Sequence, residues 1–178
     1  NHPWLLDRKY PVLVTAARLA EQKSIDVMLR ALALSHEHKK MRLIILGDGP
    51  LKDELIELTR ELKIHEYVDF HGHVDNPYAF MKQADLFVLS SKFEGFANVV
   101  AEALAVGCSV VSTNAPSGPA EILAGGRYGK LVPVGDYKKL SNAMIEATKE
   151  NVDKGYLIER GMQFHASKLT TDLLYLLD

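Results

Sequence analysis

The chain has little cysteine and little net charge, and both shortages restrict its function. Cys108 is the single cysteine among 178 residues, so an internal disulfide is excluded and a reducing compartment, the cytoplasm, is expected. The 21 basic and 23 acidic residues leave a formal net charge of -2. Because no positive field covers the whole protein, nucleic acid is not an expected partner, and any anion-binding site has to be local.

Long apolar runs are also lacking. No run approaches the roughly 18 to 20 residues that a bilayer-spanning helix needs, and the opening sequence NHPWLLDRKY does not have the layout of a secretory signal peptide. The composition, 47% hydrophobic and 25% charged, is that of one globular domain with a sizeable core. We assign that domain to residues 10–163, with a linker at 1–9 before it and a terminal helix at 164–178 after it.

Short apolar runs alternate with longer amphipathic segments along the chain. The apolar runs are rich in Val, Ile and Leu, as expected of strands covered on both faces, and they lie at 10–17, 41–47, 67–72, 85–91, 108–113 and 129–134. Helical patterns fill the gaps, at 25–38, 51–64, 77–84, 98–107, 119–125 and 137–150. Strict alternation of this kind predicts an α/β fold, a Rossmann-like doubly wound parallel sheet of about six strands.

In sheets of this type, ligands bind outside the carboxyl ends of the strands, so the loops after each strand are the places to search. Arg18 and Lys23 follow the first strand and could neutralise a diphosphate, Arg through its planar fork and Lys as a point charge. Two solvated loop cations are the alternative. Gly47 and Gly49 follow the second strand, where the backbone has room to approach a ligand, although a plain turn explains them equally well.

Three motifs of other protein classes are absent. A dinucleotide fingerprint, G-x-G-x-x-G, would need glycine where Lys52 stands, so a nucleotide-dependent oxidoreductase is disfavoured. His71 and His73 are too few ligands for zinc, and no Cys, His or carboxylate cluster of suitable spacing accompanies them. The chain also contains no Asp-x-Asp pair that would hold a divalent ion on a nucleotide diphosphate. We therefore predict no metal site.

The segment FEGFANVVAE carries the most informative pattern. It places Glu94 in a loop, then Gly95, then a helix whose second turn carries Glu102. Carboxylates accept hydrogen bonds from sugar hydroxyls, while the unpaired N-H groups and the positive dipole end of a helix start attract phosphate. The combination predicts a site for a polyhydroxylated, anionic ligand.

Six blocks of sequence together carry a family resemblance. The blocks are ARLAEQKS, ILGDGPLKDEL, HGHVDNPY, ADLFVLSSKFEGFANVVAEALAVG, VVSTNAPSGPAEIL and GKLVPVGD. In this order they resemble the carboxyl-terminal, donor-binding domain of glycosyltransferase family 4, whose members are retaining enzymes of the GT-B fold. Glu94 and Glu102 match the family's Glu-x7-Glu motif in spacing, and Arg18 with Lys23 match its Arg and Lys in place.

The resemblance implies a role for each matching residue. Arg18 and Lys23 would contact the diphosphate of a nucleotide sugar, and Glu94 would hold hydroxyls of the transferred sugar. The backbone of Gly95, Phe96 and Ala97 would lie near the sugar and phosphate, and Asn98 and Val99 would add amides at the helix start. The carboxylate of Glu102 would accept hydrogen bonds from the ribose, and the backbone of His73 and Val74 would meet the base. Ser24 stands where the family often has glycine, and we predict that it caps the first helix.

The resemblance also implies the activity. The expected function is transfer of a sugar from a nucleotide-diphosphate sugar, with a UDP-sugar as donor, to a saccharide or a lipid-linked acceptor, without a cofactor or metal. An amino-terminal domain, missing from this chain, would bind the acceptor and meet the terminal helix, so the chain alone is expected to bind donor weakly and to transfer little. The full-length protein is expected to be cytoplasmic and peripherally associated with the inner face of a membrane. A non-catalytic nucleotide-sugar-binding or regulatory module is the alternative.

Overall fold

Six parallel strands form one sheet in the computed structural model, which describes residues 2–164. The strands are β1 (Val12–Ala16), β2 (Arg42–Leu46), β3 (Val68–Gly72), β4 (Leu86–Leu89), β5 (Val110–Thr113) and β6 (Lys130–Val132). Their order is β3-β2-β1-β4-β5-β6, and every neighbouring pair is parallel. The predicted Rossmann-like sheet is therefore confirmed. Each predicted strand is present and is shorter than predicted by one to three residues in total.

Helices cover both faces of this sheet. They are α1 (Pro3–Asp7), α2 (Ile25–Ser35), α3 (Lys52–Glu61), α4 (Pro77–Gln83), α5 (Asn98–Ala105), α6 (Pro119–Ile122), α7 (Tyr137–Ala147) and α8 (Lys154–Met162). Alternate side chains of one strand enter different cores, because successive residues of a strand point to opposite faces. Leu13 packs with α2, α3 and α7 on one face, whereas Val12 and Val14 pack with α1, α4, α5, α6 and α8 on the other.

The first helix was not predicted. The segment 1–9, expected to be a linker, contains α1, whose Leu5 is buried in the second core. His2 caps this helix by accepting a hydrogen bond from the N-H of Trp4 on its Nδ1, at 3.1 Å. The role of this segment as a connection to another domain stays a prediction. The predicted terminal helix at 164–178 lies, apart from Phe164, outside the described residues.

The expected cap on α2 is wrong. Ser24 lies at the cap position but has a left-handed backbone, with φ of 47°, and its hydroxyl donates to the carbonyl of Glu21 at 3.2 Å instead of accepting from the helix. The left-handed turn connects the short 3-10 helix Glu21–Lys23 to α2. Glycine adopts this conformation without strain, which accounts for its frequent use at the matching position of the family that the sequence resembles.

Within residues 2–164, no helix combines the length and the apolar character that a membrane crossing would require.

Candidate functional site

Lys23 and Glu94 form an ion pair where β1 and β4 end. Lys23 closes the 3-10 helix after β1, and Glu94 lies in the loop between β4 and α5. The ammonium of Lys23 donates to both carboxylate oxygens of Glu94, at 2.7 and 3.0 Å. The Lys23 side chain is 20% exposed and that of Glu94 only 8%. The fold therefore joins two of the predicted site residues directly, although 71 positions separate them in the sequence.

Three buried hydroxyl groups hold this ion pair in place. The hydroxyl of Ser91 donates to Glu94 at 2.5 Å, and the hydroxyl of Thr113 donates to the backbone carbonyl of Ser91 at 2.7 Å. Ser90 donates to the backbone carbonyl of Lys23 at 2.8 Å. All three side chains are almost fully buried. Their roles were not predicted from the sequence, although two serines directly after a buried strand are a visible signal.

The loop that carries Glu94 is held by a backbone hydrogen bond at Glu94 and has open space at the next residue, Gly95. The N-H of Glu94 donates to the carbonyl of Pro116 at 3.3 Å, while a side chain added at Gly95 would meet no atom within 4 Å. Phe96 is 41% exposed, and Ala97 is buried. Open backbone beside an anchored carboxylate gives a ligand close access to the main chain.

The amides at the start of α5 differ from the prediction in one respect. The N-H of Asn98, expected to be available to a ligand, donates to the carbonyl of Phe96 at 2.7 Å. The N-H of Val99 has no backbone acceptor within residues 2–164, and no side chain caps the helix. Val99 therefore presents a free donor at the positive end of the α5 dipole, where an anion is stabilised.

A first cavity, of about 320 Å³, lies beyond the ends of β1, β2 and β3. Four predicted site residues line it, namely Arg18, Gly47, His73 and Val74. Arg18 is exposed and has no salt-bridge partner in the described part of the chain. Gly47, with φ of 135°, packs on the carbonyl of Ala17, so a side chain there would prevent the two loops from meeting. Gly49 packs in the same way on the backbone of Leu19.

A second cavity, of about 290 Å³, contains the other predicted carboxylate. Glu102 and Asn98 line it together with Tyr78 and Phe164. Burial raises the pKa of the Glu102 carboxyl group above its ordinary value. Pro77 lines the first cavity and Tyr78 the second, so the start of α4 separates the two. The predicted site residues are thus distributed over two adjacent cavities and one ion pair.

The two histidines flanking Gly72 do not converge on a common ligand. His73 lines the first cavity, whereas His71 places its Nδ1 3.0 Å from a carboxylate oxygen of Asp69. As a pair, His71 and His73 therefore do not form a metal site.

Gly118 provides a stability test of how the site loops pack. Its φ is 107°, and a Cβ there would lie 2.7 Å from the backbone nitrogen of Ala97. We expect Gly118→Ala to lower the free energy of unfolding by about 2 to 4 kcal/mol, from backbone strain plus overpacking, as measured by urea denaturation. Gly126→Ala is a matched control, because Gly126 has φ of 103° and no neighbour within 4 Å. Equal losses for the two variants would show that the contact with Ala97 does not matter.

The described part of the chain matches a known protein family. The family described as "Glycosyl transferases group 1" matches residues 2–164. A Campylobacter jejuni protein, "N-acetylgalactosamine-N,N'-diacetylbacillosaminyl-diphospho-undecaprenol 4-alpha-N-acetylgalactosaminyltransferase", is 37% identical over 137 residues, which are 77% of this chain and 36% of that protein. The lipopolysaccharide core biosynthesis glycosyltransferase LpsE of Rhizobium meliloti is 32% identical over 172 residues, 94% of this chain and 49% of LpsE.

The fold of the chain also resembles that of a solved structure. HepE of Anabaena, determined in complex with UDP and glucose, superimposes with a TM-score of 0.80 at 25% identity, covering 93% of this chain and 47% of HepE. The chain thus spans between a third and a half of the length of these similar proteins. The resemblance stated from the sequence blocks is confirmed, and the chain belongs to the group 1 glycosyl transferases.

Proposed function

We propose that the chain is the donor-binding domain of a retaining, metal-independent glycosyltransferase that uses a UDP-sugar. The Lys23–Glu94 ion pair carries the proposal, because it places a cation for a diphosphate and an acceptor for sugar hydroxyls at adjoining strand ends. The complex of HepE with UDP and glucose supports a nucleotide-sugar donor. Family membership favours a transferase over the alternative of a non-catalytic or regulatory module.

The ion pair gives donor binding a defined first step. Without ligand, Lys23 and Glu94 neutralise each other at 2.7 Å. A diphosphate carries more negative charge than a carboxylate, so it draws the ammonium of Lys23 away from Glu94. The released carboxylate keeps its hydrogen bond from Ser91 and gains free acceptor positions for sugar hydroxyls. Donor binding and exposure of the sugar acceptor are thereby coupled.

Transfer then depends on charge that develops on the leaving diphosphate. Breaking its bond to the anomeric carbon leaves negative charge on the phosphate and positive charge on the sugar ring. Lys23, the exposed Arg18 and the free N-H of Val99 stabilise that negative charge more strongly in the transition state than in the ground state. Glu94 orients the sugar and favours positive charge on its ring. We assign Glu94 no role as a nucleophile.

In the proposed complex, the nucleoside part of the donor occupies the two cavities. His73 and Val74 would meet the base in the first cavity with their backbone, and Glu102 would accept hydrogen bonds from the ribose hydroxyls in the second. Gly95, Phe96 and Ala97 would border the sugar and phosphate. Gly47 would keep the floor of the first cavity open, while the contact of Gly49 with a donor stays a prediction.

Glu102→Gln is expected to change protein stability and UDP affinity in opposite directions. Since burial raises the pKa of Glu102, ionisation disfavours the folded state once the pH rises above the ordinary carboxyl range. We expect the variant to melt at a higher temperature than the wild type at pH 7, with the difference vanishing near the acid end of that range. UDP affinity should fall about 10-fold, because a charged acceptor for ribose is lost.

Calorimetric titration with UDP and thermal melts at several pH values measure both effects. Glu61→Gln is a suitable control, since Glu61 is an exposed glutamate on α3. Unchanged UDP affinity in Glu102→Gln would remove Glu102 from the donor site.

The complete reaction needs more than this domain. We propose that an amino-terminal domain of the full-length protein binds a saccharide or lipid-linked acceptor, and that the isolated chain transfers little sugar. The name of the Campylobacter relative includes diphospho-undecaprenol, a lipid diphosphate, and this supports a lipid-linked acceptor. We propose in addition that the full-length protein is cytoplasmic and acts at the inner face of a membrane.

A donor screen on the full-length protein tests the proposed function. Nucleotide sugars with uridine, guanosine, adenosine and thymidine bases are supplied with acceptor, and the released nucleoside diphosphate is identified. We expect release of UDP, with retention at the anomeric carbon and no loss of rate in EDTA. Absence of turnover with every donor would favour a binding module instead.

A further inference from the structure

Three metal-ligating side chains meet at the edge of the sheet, away from the Lys23–Glu94 pair. A carboxylate oxygen of Asp69 lies 3.0 Å from the Nε2 of His2 and 3.0 Å from the Nδ1 of His71. The three ligand atoms all lie within 4.8 Å of one another. Asp69 and His71 both belong to β3, an edge strand whose pairing with β2 shifts between Phe70 and Gly72, and their side chains are in direct contact. His2 reaches the cluster from the cap of α1.

We propose that His2, Asp69 and His71 form a binding site for Zn²⁺. Two imidazole nitrogens and one carboxylate oxygen are ligands that zinc prefers, and three protein ligands leave a fourth position for water. In a tetrahedral site with bonds of about 2.0 to 2.1 Å, ligand atoms lie about 3.3 Å apart. Both short separations therefore need to widen by about 0.3 Å, whereas the two imidazole nitrogens, which lie within 4.8 Å of each other, need to approach to the same distance. Asp69 and His71 are each about one-third exposed, which gives the ion a path from solvent.

Zn²⁺ would bind the two imidazole nitrogens that now carry the protons facing Asp69, so each imidazole has to move its proton to its other ring nitrogen. The Nδ1 of His2 accepts from the N-H of Trp4, so the proton of neutral His2 is on Nε2 and points at Asp69. Zinc takes the lone pair of Nε2, which moves that proton to Nδ1 and breaks the hydrogen bond from Trp4. His71 likewise shifts its proton from Nδ1 to Nε2. Binding thus exchanges two hydrogen bonds and one helix cap for three metal bonds.

The proposed ion would join α1 to β3. His2 is mostly buried, and its ring packs edge-to-face on Trp4 at a centroid distance of 5.1 Å and on His71 at 5.5 Å. The sequence predicts no metal site from His71 with His73, and the third ligand, His2, is hidden from spacing rules because it lies 67 positions before Asp69. This proposal does not rest on the proposed transferase function. It is also compatible with metal-independent transfer, since none of the three ligands is among the predicted donor contacts.

Trp4 is the single tryptophan of the chain and reports on the site directly. The chain, purified without a histidine tag and stripped of metal, is titrated with ZnCl₂ while tryptophan fluorescence and heat are recorded. We expect one equivalent of Zn²⁺ to bind at micromolar or tighter dissociation constant and to change the fluorescence in parallel. At free Zn²⁺ about 100-fold above that constant, Tm should rise by about 5 to 10 °C.

Two variants and one control decide the assignment. Asp69→Asn and His71→Gln each remove a ligand from a partly exposed position of β3, and both should weaken Zn²⁺ binding at least about 10-fold while staying folded by circular dichroism. His38→Gln removes an exposed histidine elsewhere and should bind like the wild type. No saturable binding below about 100 µM Zn²⁺, well outside the range of structural zinc sites, would overturn the proposal. Binding that persists unchanged in both ligand variants would overturn it equally.

Discussion

Glu94→Gln in the full-length protein is expected to lower kcat/KM at least about 100-fold and to tighten the binding of UDP by about 5-fold. The first effect follows because the carboxylate that orients the sugar and favours positive charge on its ring is lost. The second follows because Lys23, which now donates to both oxygens of Glu94, no longer has a charged competitor for the diphosphate. Rates of sugar transfer and calorimetric titration with UDP measure the two changes.

The opposite directions of these effects make the test specific. A variant that merely unfolds the loop would lose both activity and UDP affinity. Glu57→Gln is a matched control, because Glu57 also pairs with a cation, Arg60, at 2.7 Å, but lies exposed on α3. It should change neither quantity. Glu94→Gln with wild-type turnover would remove Glu94 from the reaction.

Lys23→Met is expected to weaken UDP binding at least about 10-fold, because a charge-assisted hydrogen bond to the diphosphate is lost. It should also lower the free energy of unfolding by about 1 to 3 kcal/mol, since among residues 2–164 it leaves the buried carboxylate of Glu94 with Ser91 as its remaining side-chain partner. Urea denaturation and titration with UDP measure the two losses.

The double variant Lys23→Met with Glu94→Gln distinguishes the two causes. Stability should recover in large part, because no unpaired charge remains, whereas UDP affinity should stay low. Lys138→Met, at an exposed position of α7, is the control and should match the wild type. If the double variant were no more stable than Lys23→Met, an unpaired charge on Glu94 would not explain the stability lost in Lys23→Met.

The sheet was predictable because most of its strands are nearly continuous runs of Val, Ile and Leu, as expected of strands buried on both faces. The placement of Lys23 and Glu94 at the same rim followed from topology alone, because the carboxyl ends of parallel strands share one edge. Their direct pairing did not follow, since it depends on side-chain torsions and on three hydroxyl groups, two of which bond to loop backbone and one to the carboxylate itself.

Other features escaped the sequence for different physical reasons. α1 has only five residues, too few for a periodic pattern, and its stability comes from burying Leu5 in a core built by distant segments. The cap expected from Ser24 failed because the chain needs a left-handed residue there, which directs the hydroxyl back to Glu21. The cluster of His2 with Asp69 joins residues far apart in the chain, and spacing rules for metal ligands register only local motifs.

The central claim is that the loops at the carboxyl ends of the strands together bind a nucleoside diphosphate. Titration of the isotope-labelled chain with UDP, followed by amide NMR, tests it most directly. We predict saturable shifts for Arg18, Lys23, Val99 and Glu102 at millimolar UDP, and smaller shifts with GDP. Shifts confined to other surfaces, or none at these four residues, would contradict the account.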